Sequence, residues 1–475
     1  MLELLPTFIG YLLVLVAIAV YAGMKTSTMQ DYSIGGRSLS SSVTALSAGA
    51  SDMSGWLLLG LPGAIYLTGL VEGWILIGLV VGAWINWTYV ANRLRIASTL
   101  YGEAITIPQL LSLRTAARTK TLPIVASIVL IIFFTVYVSA GFIASAKLFE
   151  SVLGVEYLLG LSIGVVIVMT YTAIGGFLAV SWTDAFQALL MMVVLVAVPT
   201  MALNMDLSAP GSLVDATRDI WNWEAYSFLG VLGLLSWGLG YFGQPHILAR
   251  FMAIRNPQAI PTARTIGMSW MILSSVGAVA VGFAAMTALP LLEDKETALI
   301  YLSDLVLSPW VAGIVIAAIL AAVMSTVDSQ LMVVSTVLVN DVASPNSKLL
   351  LYSRLSVVLV AAIAALLALD QESRIFDVVA FAWAGIGSSF GSCILFSLFY
   401  RETTSIALIG AIVTGTATTI VWHYLKGGIF DVYELLPAFL LASGVLVLIS
   451  KLKSDEEAIE RFEKLEESLS SRTTT

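Results

Sequence analysis

The chain contains the stretch Gly49-Ala50-Ser51-Asp52-Met53-Ser54-Gly55-Trp56, in which one carboxylate lies among small residues inside an apolar segment. A charged side chain costs about 2.5 to 3.5 kcal/mol at the centre of a membrane helix, so something must offset that cost. A bound cation is the leading candidate. The segment ends in Gly60-Leu61-Pro62-Gly63, where we expect the helix to be interrupted. An interrupted helix with small residues and one acid is typical of the binding site of a cation-coupled transporter.

The composition indicates an integral membrane protein surrounded by lipid. Of the 475 residues, 59% are hydrophobic and only 11% are charged, a balance that soluble globular domains of this size do not show. The net charge of −8 disfavours nucleic acid as a partner. The sequence contains no P-loop, dinucleotide fingerprint, nucleophile elbow or metal-ligand spacing, which disfavours ATP-driven transport and enzyme chemistry.

The fold class predicted from these features is an all-α integral membrane protein with about thirteen transmembrane helices. The apolar spans lie near residues 5–24, 40–70, 72–92, 121–149, 155–175, 184–205, 225–252, 264–289, 308–341, 349–369, 374–399, 404–424 and 431–450. The three longest should tilt, break or extend beyond the bilayer. Residues 1–453 are therefore predicted to form a single transmembrane domain.

The distribution of basic residues predicts the orientation in the cell membrane. With the N-terminus outside, alternate loops place most Lys and Arg residues, including Arg250, on the cytoplasmic side, as the positive-inside rule requires. The C-terminus is then cytoplasmic. We interpret the acidic, amphipathic tail at 454–475 as a short cytoplasmic helix with a frayed end, solvated rather than regulatory.

Two interrupted spans suggest an internal symmetry. The second span carries Trp56 and then Pro62-Gly63, and the seventh carries Trp237-Gly238-Leu239-Gly240 and then Gly243-Gln244-Pro245. They are five spans apart, so they enter the membrane from opposite faces, as an inverted repeat of five helices requires. Gly and Pro are common in membrane helices, and the pattern alone does not separate a repeat from coincidence.

The ninth span carries hydroxyls near an acid, in Ala321-Ala322-Val323-Met324-Ser325-Thr326-Val327-Asp328-Ser329-Gln330. Helical spacing puts Ala322 and Thr326 on one face, and on a neighbouring face Ser325, Asp328 and Ser329. Hydroxyl and carbonyl oxygens are suitable ligands for a hard cation. A single hydroxyl would more often bond back to its own helix, but two hydroxyls beside a buried acid favour an ion site.

The two other membrane acids each allow a second interpretation. An ion-pathway role is the default for Asp52, and a structural pair with a basic residue such as Arg37 is the alternative. Asp184 stands at the start of the sixth predicted span. It could cap that helix, or it could complete a second cation site with Ser325, Asp328 and Ser329. The residues leave both roles of Asp184 open.

Aromatic side chains near glycine-rich backbone suggest a solute site. Trp237 and Tyr241 are four residues apart and would share a helix face, and Tyr137 lies in the fourth span. Rings can cover the apolar part of an amphipathic solute while hydroxyls meet its polar part, although ordinary packing explains each ring singly. For His246, at a helix end, we favour a structural or gating role over a proton relay.

Six runs of the sequence together resemble the sodium/solute symporter family, most closely its sodium/proline symporters. The runs are spread over most of the chain, at residues 35–39, 43–56, 82–87, 175–184, 237–252 and 319–326. The resemblance implies a fold of the leucine-transporter type. Its two inverted five-helix repeats would lie at about 40–205 and 225–399, with flanking helices.

The same resemblance implies the site residues. The implied sodium ligands are three backbone carbonyls and two hydroxyls, those of Ala50, Met53, Ala322, Ser325 and Thr326. The residues expected to couple sodium to substrate are Asp52, Ser54, Gly55 and, at the cytoplasmic side, Arg37. The residues expected at the substrate are Trp56, Tyr137, Trp237, Tyr241 and Pro245.

The expected function is sodium-coupled import of L-proline by alternating access, with Na⁺ as the coupling ion and no other cofactor. Proline is a zwitterion with an apolar ring, so free N–H groups at a helix break can bind its carboxylate while aromatic rings cover its ring. The alternative is a sodium symporter of the same fold for another amino acid, a sugar, sialic acid or pantothenate. One departure stands out: Asp328-Ser329 occupies positions that are uncharged in the proline symporters. Together with Asp184 it could bind a second cation or share a proton, which leaves the coupling stoichiometry open.

Overall fold

The computed structural model describes residues 5–26, 28–205, 227–289, 292–342 and 349–473. Nearly all of these residues are helical, and the one strand-like pairing among them is an isolated bridge between Leu39 and Ile254. The helices of the described residues are, in chain order, α1 Leu5–Gly23, α2 Met29–Ile34, α3 Ser41–Asp52, α4 Leu61–Thr68, α5 Trp74–Ile85, α6 Ala91–Leu100, α7 Ile107–Arg114, α8 Thr121–Leu153, α9 Tyr157–Leu203, α10 Phe228–Ser236, α11 Pro245–Ala253, α12 Ile260–Ala288, α13 Ala298–Val306, α14 Pro309–Val337, α15 Leu349–Leu367, α16 Ile375–Phe399, α17 Ser405–Tyr424, α18 Leu435–Leu452 and α19 Glu456–Thr473.

The helices confirm the predicted all-α membrane class. Within the described ranges, 9 helical segments are long and apolar enough to cross a bilayer. Shorter apolar helices lie at Trp56–Thr68, Tyr157–Met169, Phe228–Gly243 and Leu351–Leu367. The count of thirteen is not confirmed by these lengths. It stays a prediction, as do the boundaries of the transmembrane domain and of its repeats.

The second predicted span is interrupted, but not where the sequence suggested. Helix α3 begins after the N-cap Ser40 and ends at Asp52, and Met53 leaves the helical region with φ −85 and ψ 69. The chain resumes as a π-helix at Trp56–Gly60, in which the Leu61 N–H bonds to the Trp56 carbonyl, and continues into α4. The expected break at Gly60-Leu61-Pro62-Gly63 is therefore wrong. Proline is tolerated there because it lies at the start of α4, directly after the widened π-turn.

The second interruption lies where it was predicted. Helix α10 gives way to a 3₁₀ segment at Trp237–Gly243, Gln244 is extended, and α11 begins at Pro245. A Cβ added at Gly243 would lie 2.6 Å from the backbone nitrogen of Gly391, so only glycine allows this segment to approach α16 so closely.

The sixth span begins earlier than predicted. Helix α9 contains a break at Gly176, whose φ of 65 and ψ of −179 separate two spans. The second of these segments runs over Gly176–Leu203, so Asp184 lies well inside it and is 0% exposed. The interpretation of Asp184 as a helix cap is therefore wrong, because the Gly175-Gly176 pair, and not Asp184, marks the helix boundary.

Helix α14 lies at the centre of the bundle. It packs against α1, α3, α8, α9 and α15, and its stretch from Ala317 to Met332 is buried throughout. The polar residues of the ninth span are therefore held inside protein and away from lipid. Among them, the hydroxyls of Ser325 and Thr326 face the interruption that follows α3.

The C-terminal tail is a docked helix. The predicted helix is confirmed as α19, but the expectation that it is solvated is wrong, since Leu465 is 0% exposed. Arg114 of α7 donates to the Ala458 carbonyl at 2.7 Å, and Arg93 of α6 pairs with Glu466. An amphipathic helix buries its apolar face when a matching surface is available, and here α6 and α7 supply that surface.

Candidate functional site

The hydroxyls of α14 meet the end of α3. Ser325 Oγ donates to the Ala50 carbonyl at 2.9 Å and lies 3.2 Å from the Ala322 carbonyl, and Thr326 Oγ1 lies 3.4 Å from the Ala50 carbonyl. All of these residues are buried. Four of the predicted sodium ligands are thus brought together by the fold, namely Ala50, Ala322, Ser325 and Thr326.

The helix break makes the Ala50 carbonyl available. In an unbroken helix, the Ala50 carbonyl would accept from the N–H of Ser54. Here that N–H bonds to the Asp52 carbonyl at 3.0 Å, because the chain leaves the helix at Met53. Met53, the fifth predicted ligand, is buried at this break. A cation between α3 and α14 would therefore find carbonyl oxygen that the helix itself no longer uses.

Asp52 is bonded to the second interrupted helix. Its Oδ2 accepts a hydrogen bond from the hydroxyl of Tyr241, and the side chain is buried. The described residues place no basic side chain within ion-pair distance of Asp52. The alternative pairing with Arg37 is wrong, because Arg37 binds Glu103 at 2.9 Å instead. The buried carboxylate therefore has one strong hydrogen-bond donor and no compensating charge from the described side chains.

A small cavity lies beside this pair. It is about 20 Å³ in volume and is lined by Asp52, Met53, Asn86, Tyr241, Phe251 and Met271, among others. That volume holds about one water molecule. A solute of amino-acid size needs more room, so the helices around Asp52 must separate before such a solute enters.

Asn86 is a site residue that the sequence reasoning missed. Its Nδ2 donates to the Tyr241 carbonyl at 3.0 Å, while its Oδ1 is buried with no hydrogen-bond partner among the described residues. Asn86 opens a π-helical turn at Asn86–Val90, which widens the backbone beside the cavity. A polar residue inside the apolar run at 74–91 was the signal that could have identified it.

The predicted aromatic residues form one cluster with rings from elsewhere. The Trp237 centroid lies 5.8 Å from that of Trp56 and 5.2 Å from that of Tyr433. Trp383 of α16 lies edge-on to Tyr241 at 5.4 Å, and its indole N–H donates to the Trp237 carbonyl at 2.9 Å. The sequence did not indicate Trp383 or Tyr433, since an isolated aromatic residue in an apolar span forms no pattern. We call Trp56, Trp237, Tyr241 and Trp383 the aromatic wall.

Three other predicted residues have separate surroundings. Tyr137 of α8 lies edge-on to His246 at 6.4 Å and is buried. Only glycine fits at position 55 beside the break, because an added Cβ would lie 2.9 Å from the Cβ of Ala144. Pro245 does not line the cavity at Asp52. It lines a different cavity of about 20 Å³, together with Ser33, Thr106 and Phe177.

Two residues of the predicted second cation site, Asp184 and Ser329, contact a buried arginine. Asp184 Oδ2 accepts from Ser47 Oγ at 2.7 Å and pairs with Arg250 Nη2 at 2.9 Å. The Arg250 guanidinium also donates to Ser329 Oγ at 2.5 Å and to Ser47 Oγ at 3.0 Å. Arg250 is 0% exposed within α11, and its predicted place on the cytoplasmic side stays a prediction. Asp328 does not contact this arginine but is hydrogen-bonded to Thr172.

Arg37 joins three segments at one end of the bundle. Its guanidinium donates to Ser98 Oγ at 2.8 Å, to the Ala104 carbonyl at 2.9 Å and to the Met252 carbonyl at 2.7 Å, besides its ion pair with Glu103. Burial lowers the pKa of the Arg37 guanidinium, and the Glu103 carboxylate opposes that shift. Following the orientation predicted from the distribution of Lys and Arg, we call Arg37, Ser98, Glu103, Ala104 and Met252 the inner latch.

An ion-paired cluster lies at the other end. Lys147 Nζ of α8 contacts Glu296 at 2.8 Å and Asp294 at 3.0 Å. Glu296 also accepts from the N–H groups of Ile375 and Phe376 at the start of α16, at 3.1 and 3.0 Å. A carboxylate at a helix N-terminus is favoured by the free N–H groups and the helix dipole. With the same predicted orientation, we call Lys147, Asp294 and Glu296 the outer cluster, which the sequence analysis did not identify.

The chain is similar to characterised bacterial transporters along nearly its whole length. It is 42% identical over 490 aligned residues to a sodium/proline symporter of Haemophilus influenzae, covering 97% of each chain. It is 45% identical to the high-affinity proline transporter PutP of Bacillus subtilis, covering 89% of this chain and 92% of the relative. A sodium/proline symporter of Salmonella typhimurium is 42% identical, with 97% and 96% covered.

The fold is that of sodium symporters of the leucine-transporter type. The structure of a sodium-coupled sialic acid symporter matches with a TM-score of 0.77 at 16% identity, over 94% of this chain and 98% of the other. MhsT, solved in complex with L-phenylalanine, matches with a TM-score of 0.56 at 15% identity, over 86% and 97% of the two chains. The sequence model of the sodium:solute symporter family matches residues 32–415. This chain therefore belongs to the sodium:solute symporter family.

Proposed function

We propose that this protein imports L-proline across the cell membrane together with sodium, by alternating access. The observation that carries the proposal is the meeting of Ser325 and Thr326 hydroxyls with the freed Ala50 carbonyl, beside the hydrogen bond from Tyr241 to Asp52. The names of the relatives, which specify sodium and proline, support the choice of ion and solute.

Sodium would bind between α3 and α14. The proposed ligands are the carbonyls of Ala50, Met53 and Ala322 and the hydroxyls of Ser325 and Thr326. The Ser325 hydroxyl donates to the Ala50 carbonyl in this structure. When sodium binds, this hydrogen bond would break, the hydroxyl would turn its proton away, and both oxygens would present lone pairs to the ion. Because one ion would join two helices, its binding would favour the arrangement in which α3 and α14 are close.

Proline would bind beside the two interruptions. Its carboxylate suits the backbone N–H at Gly55, since the Ser54 N–H is already bonded to the Asp52 carbonyl, and its ring suits the aromatic wall. Tyr137 would border the same space, and Asp52 would link the sodium ligands to the solute through Tyr241. We propose that Pro245 acts by ending the interruption before α11, and not by direct contact, since it lines another cavity.

The inner latch and the outer cluster would close the two ends in turn. Arg37 would release Met252 and Ala104 when the inner end opens, and Lys147 and Glu296 would hold the outer end closed meanwhile. The orientation proposed for the membrane has the N-terminus outside and the C-terminus in the cytoplasm, following the distribution of Lys and Arg.

Uptake into proteoliposomes tests this function. Purified protein should accumulate labelled L-proline when a sodium gradient is imposed, and should not do so when choline replaces sodium. Unlabelled proline should compete better than other amino acids, sugars, sialic acid or pantothenate. If sodium drives the uptake of one of those solutes in preference to proline, sodium would remain the proposed coupling ion, but proline would be rejected as the substrate. Uptake that is indifferent to sodium would refute the proposal.

A further inference from the structure

Tyr433 lies between the aromatic wall and an open cavity. Its ring stacks on that of Trp237, with the centroids 5.2 Å apart and the planes at 18°. Tyr433 also lines a cavity of about 530 Å³ together with Asp377, His423 and Lys426, among others. Asp377 and Lys426 are exposed, so the rim of this cavity is open to water, whereas Trp237 is only 3% exposed. The Tyr433 ring therefore covers the wall on the side of this cavity.

The cavity lies at the same end of the bundle as the outer cluster. Asp377, at its rim, directly follows Ile375 and Phe376, whose N–H groups donate to Glu296 of that cluster. The Phe376 ring also contacts Trp237, at a centroid distance of 5.5 Å. In the orientation predicted from Lys and Arg, a solute that is imported arrives from this side. The cavity is thus placed as an entrance to the aromatic wall.

The backbone around Tyr433 forms a connection that rests on α10. Tyr433 belongs to residues 425–434 between α17 and α18, which we call the strap. A Cβ added at Gly233 of α10 would lie 3.0 Å from the Tyr433 nitrogen and 3.2 Å from its Cβ, so glycine allows this close approach. Within the strap, Gly427 and Gly428 have φ of 88 and 67, a backbone conformation that glycine adopts without strain.

Few contacts hold the strap against the proposed solute site. The Tyr433 hydroxyl donates to the Ala380 carbonyl of α16 at 2.6 Å, besides the ring contact with the wall. Elsewhere the strap is bonded to α17, the helix that precedes it: Trp422 Nε1 donates to the Val432 carbonyl at 3.0 Å, and the Trp422 ring packs on Phe430 at 4.8 Å. A segment with so few contacts to its surroundings can open locally while the helices stay folded.

We propose that Tyr433 is the outer lid of the solute site, and that it leaves Trp237 together with the strap whenever a solute passes between the cavity and the aromatic wall. This step rests on the proposed transport function. A cavity of about 530 Å³ has room for an amino acid, whereas the cavity beside Asp52 holds about one water molecule. Withdrawal of Tyr433 would join the larger cavity to the wall, and its return would cover the bound solute with an aromatic ring.

Pulsed electron paramagnetic resonance tests the movement of the strap without any transport. Spin labels at Ile429→Cys of the strap and Tyr301→Cys of α13, both exposed positions, report the distance between the strap and the bundle. The only native cysteine, Cys393, is buried. Two separate distances are expected, one for each position of the strap. A single distance for this pair, with and without sodium and proline, would overturn the lid.

The matched control for the spin labels is a pair that excludes the strap. Tyr424→Cys lies at the end of α17, directly before the strap, and is paired with the same Tyr301→Cys. This pair should keep one distance under all conditions. Two distances in both pairs would assign the motion to α17 or α13 and would equally overturn the lid.

Alkylation tests the ring of Tyr433 itself. The reporter is Ser236→Cys in α10, since Ser236 is 5% exposed and its hydroxyl bonds to the Gly233 carbonyl beside Tyr433. A water-soluble thiol reagent should react with this cysteine about tenfold faster when Tyr433→Ala is added, because one ring contact is lost. Tyr433→Phe keeps the ring and loses the hydrogen bond, so its rate should lie between. Tyr424→Ala removes a ring that is 77% exposed, and a rate equal to that of Tyr433→Ala would contradict the proposal.

Uptake kinetics separate a lid from a residue that only packs. In proteoliposomes, Tyr433→Ala should raise the KM for proline by about tenfold with a smaller change in the maximal rate, because the uncovered solute dissociates more often. Tyr433→Phe should restore most of the wild-type KM. A lower maximal rate at unchanged KM would reject the lid. Absence of proline uptake by the wild type would refute the proposed function alone, since the spin-label distances and the alkylation rates do not depend on uptake.

Discussion

The hydroxyl of Tyr241 donates to the Oδ2 of Asp52 and so joins the two interrupted helices at their breaks. Asp52 is the last residue of α3, and Tyr241 lies in the 3₁₀ segment before α11. Any change in the distance between these helices must alter this bond. It is therefore the most direct contact by which events at the sodium ligands could reach the solute.

Asp52→Asn should raise the half-saturating sodium concentration for proline uptake by about tenfold or more, because the site would lose its negative charge, and a charged hydrogen bond is worth about 1.5 to 3 kcal/mol. Tyr241→Phe should raise the KM for proline, since it removes the hydrogen bond by which Asp52 holds the interrupted helix at the proposed proline site. Tyr157→Phe is the matched control, as its hydroxyl bonds to the Ala368 carbonyl outside the site. Sodium dependence that is unaltered in Asp52→Asn would remove Asp52 from the site.

Ser325→Ala should weaken the apparent sodium affinity of uptake by about tenfold, because it removes an oxygen ligand worth about 1.4 kcal/mol or more. Thr326→Val should do the same to a smaller or equal extent, since its hydroxyl lies 3.4 Å from the Ala50 carbonyl against 2.9 Å for Ser325. Ser335→Ala offers a control on the same helix, where the hydroxyl bonds to the Met332 carbonyl. Equal sodium affinities in Ser325→Ala and Ser335→Ala would contradict the proposed ligand set.

The sequence indicated the residues that we propose as ion ligands, but not the contacts that surround them. Ser325 and Thr326 could be selected because two adjacent hydroxyls follow a run of small residues, and Asp52 because a lone acid in an apolar run is conspicuous. The break was predicted too late in the chain, because the helix continues through Gly60 and Pro62, while the chain leaves the helix at Met53, which is neither glycine nor proline. Pairing across distant helices, as between Tyr241 and Asp52, leaves no trace in a single sequence.

The ion pair of Arg250 could not be predicted from the sequence. Counting Lys and Arg predicts on which side of the membrane each of them lies, but it does not identify a guanidinium that is buried against a carboxylate from another helix. The partner Asp184 lies 66 residues away along the chain. Only the packing of α3, α9 and α11 brings the two charges together.

Arg250→Met should lower the free energy of unfolding in detergent by about 3 to 5 kcal/mol, because Asp184 would be left as an uncompensated buried charge. The double variant Arg250→Met, Asp184→Asn should recover part of that loss. Thermal unfolding of the purified variants measures both changes. A double variant less stable than either single variant would show that Arg250 and Asp184 are not each other's main partner.

Arg37→Ala should open the inner end of the bundle more often, since the guanidinium makes hydrogen bonds to three separate segments there. A cysteine introduced at Ser33, beside the second cavity, reports the opening, because the only native cysteine, Cys393, is buried. Its alkylation from the cytoplasmic side should be faster in Arg37→Ala by about tenfold, the effect of 1.4 kcal/mol. Arg255→Ala, which removes an exposed guanidinium bonded to the Ser38 carbonyl, should leave the rate unchanged.

Glu296→Gln should act at the opposite end. It removes the ion pair with Lys147 but can keep one bond to the N-terminus of α16, so we expect a modest loss of stability of about 1 to 2 kcal/mol. The same change should speed alkylation from the outer side of a cysteine placed at Thr297. Glu293→Gln in the same loop is the control, and equal rates in the two variants would contradict a role of Glu296 in closing this end.

The docked helix α19 bears on how this protein can be handled. It rests on α6 and α7, and the connection between those two helices supplies Glu103 and Ala104 to the bonds that Arg37 makes. A fluorescent reporter or affinity tag fused behind residue 475 would therefore be attached to a helix that packs against the segments of the inner latch. Reporters attached there would sense and impede the motion that they are meant to observe.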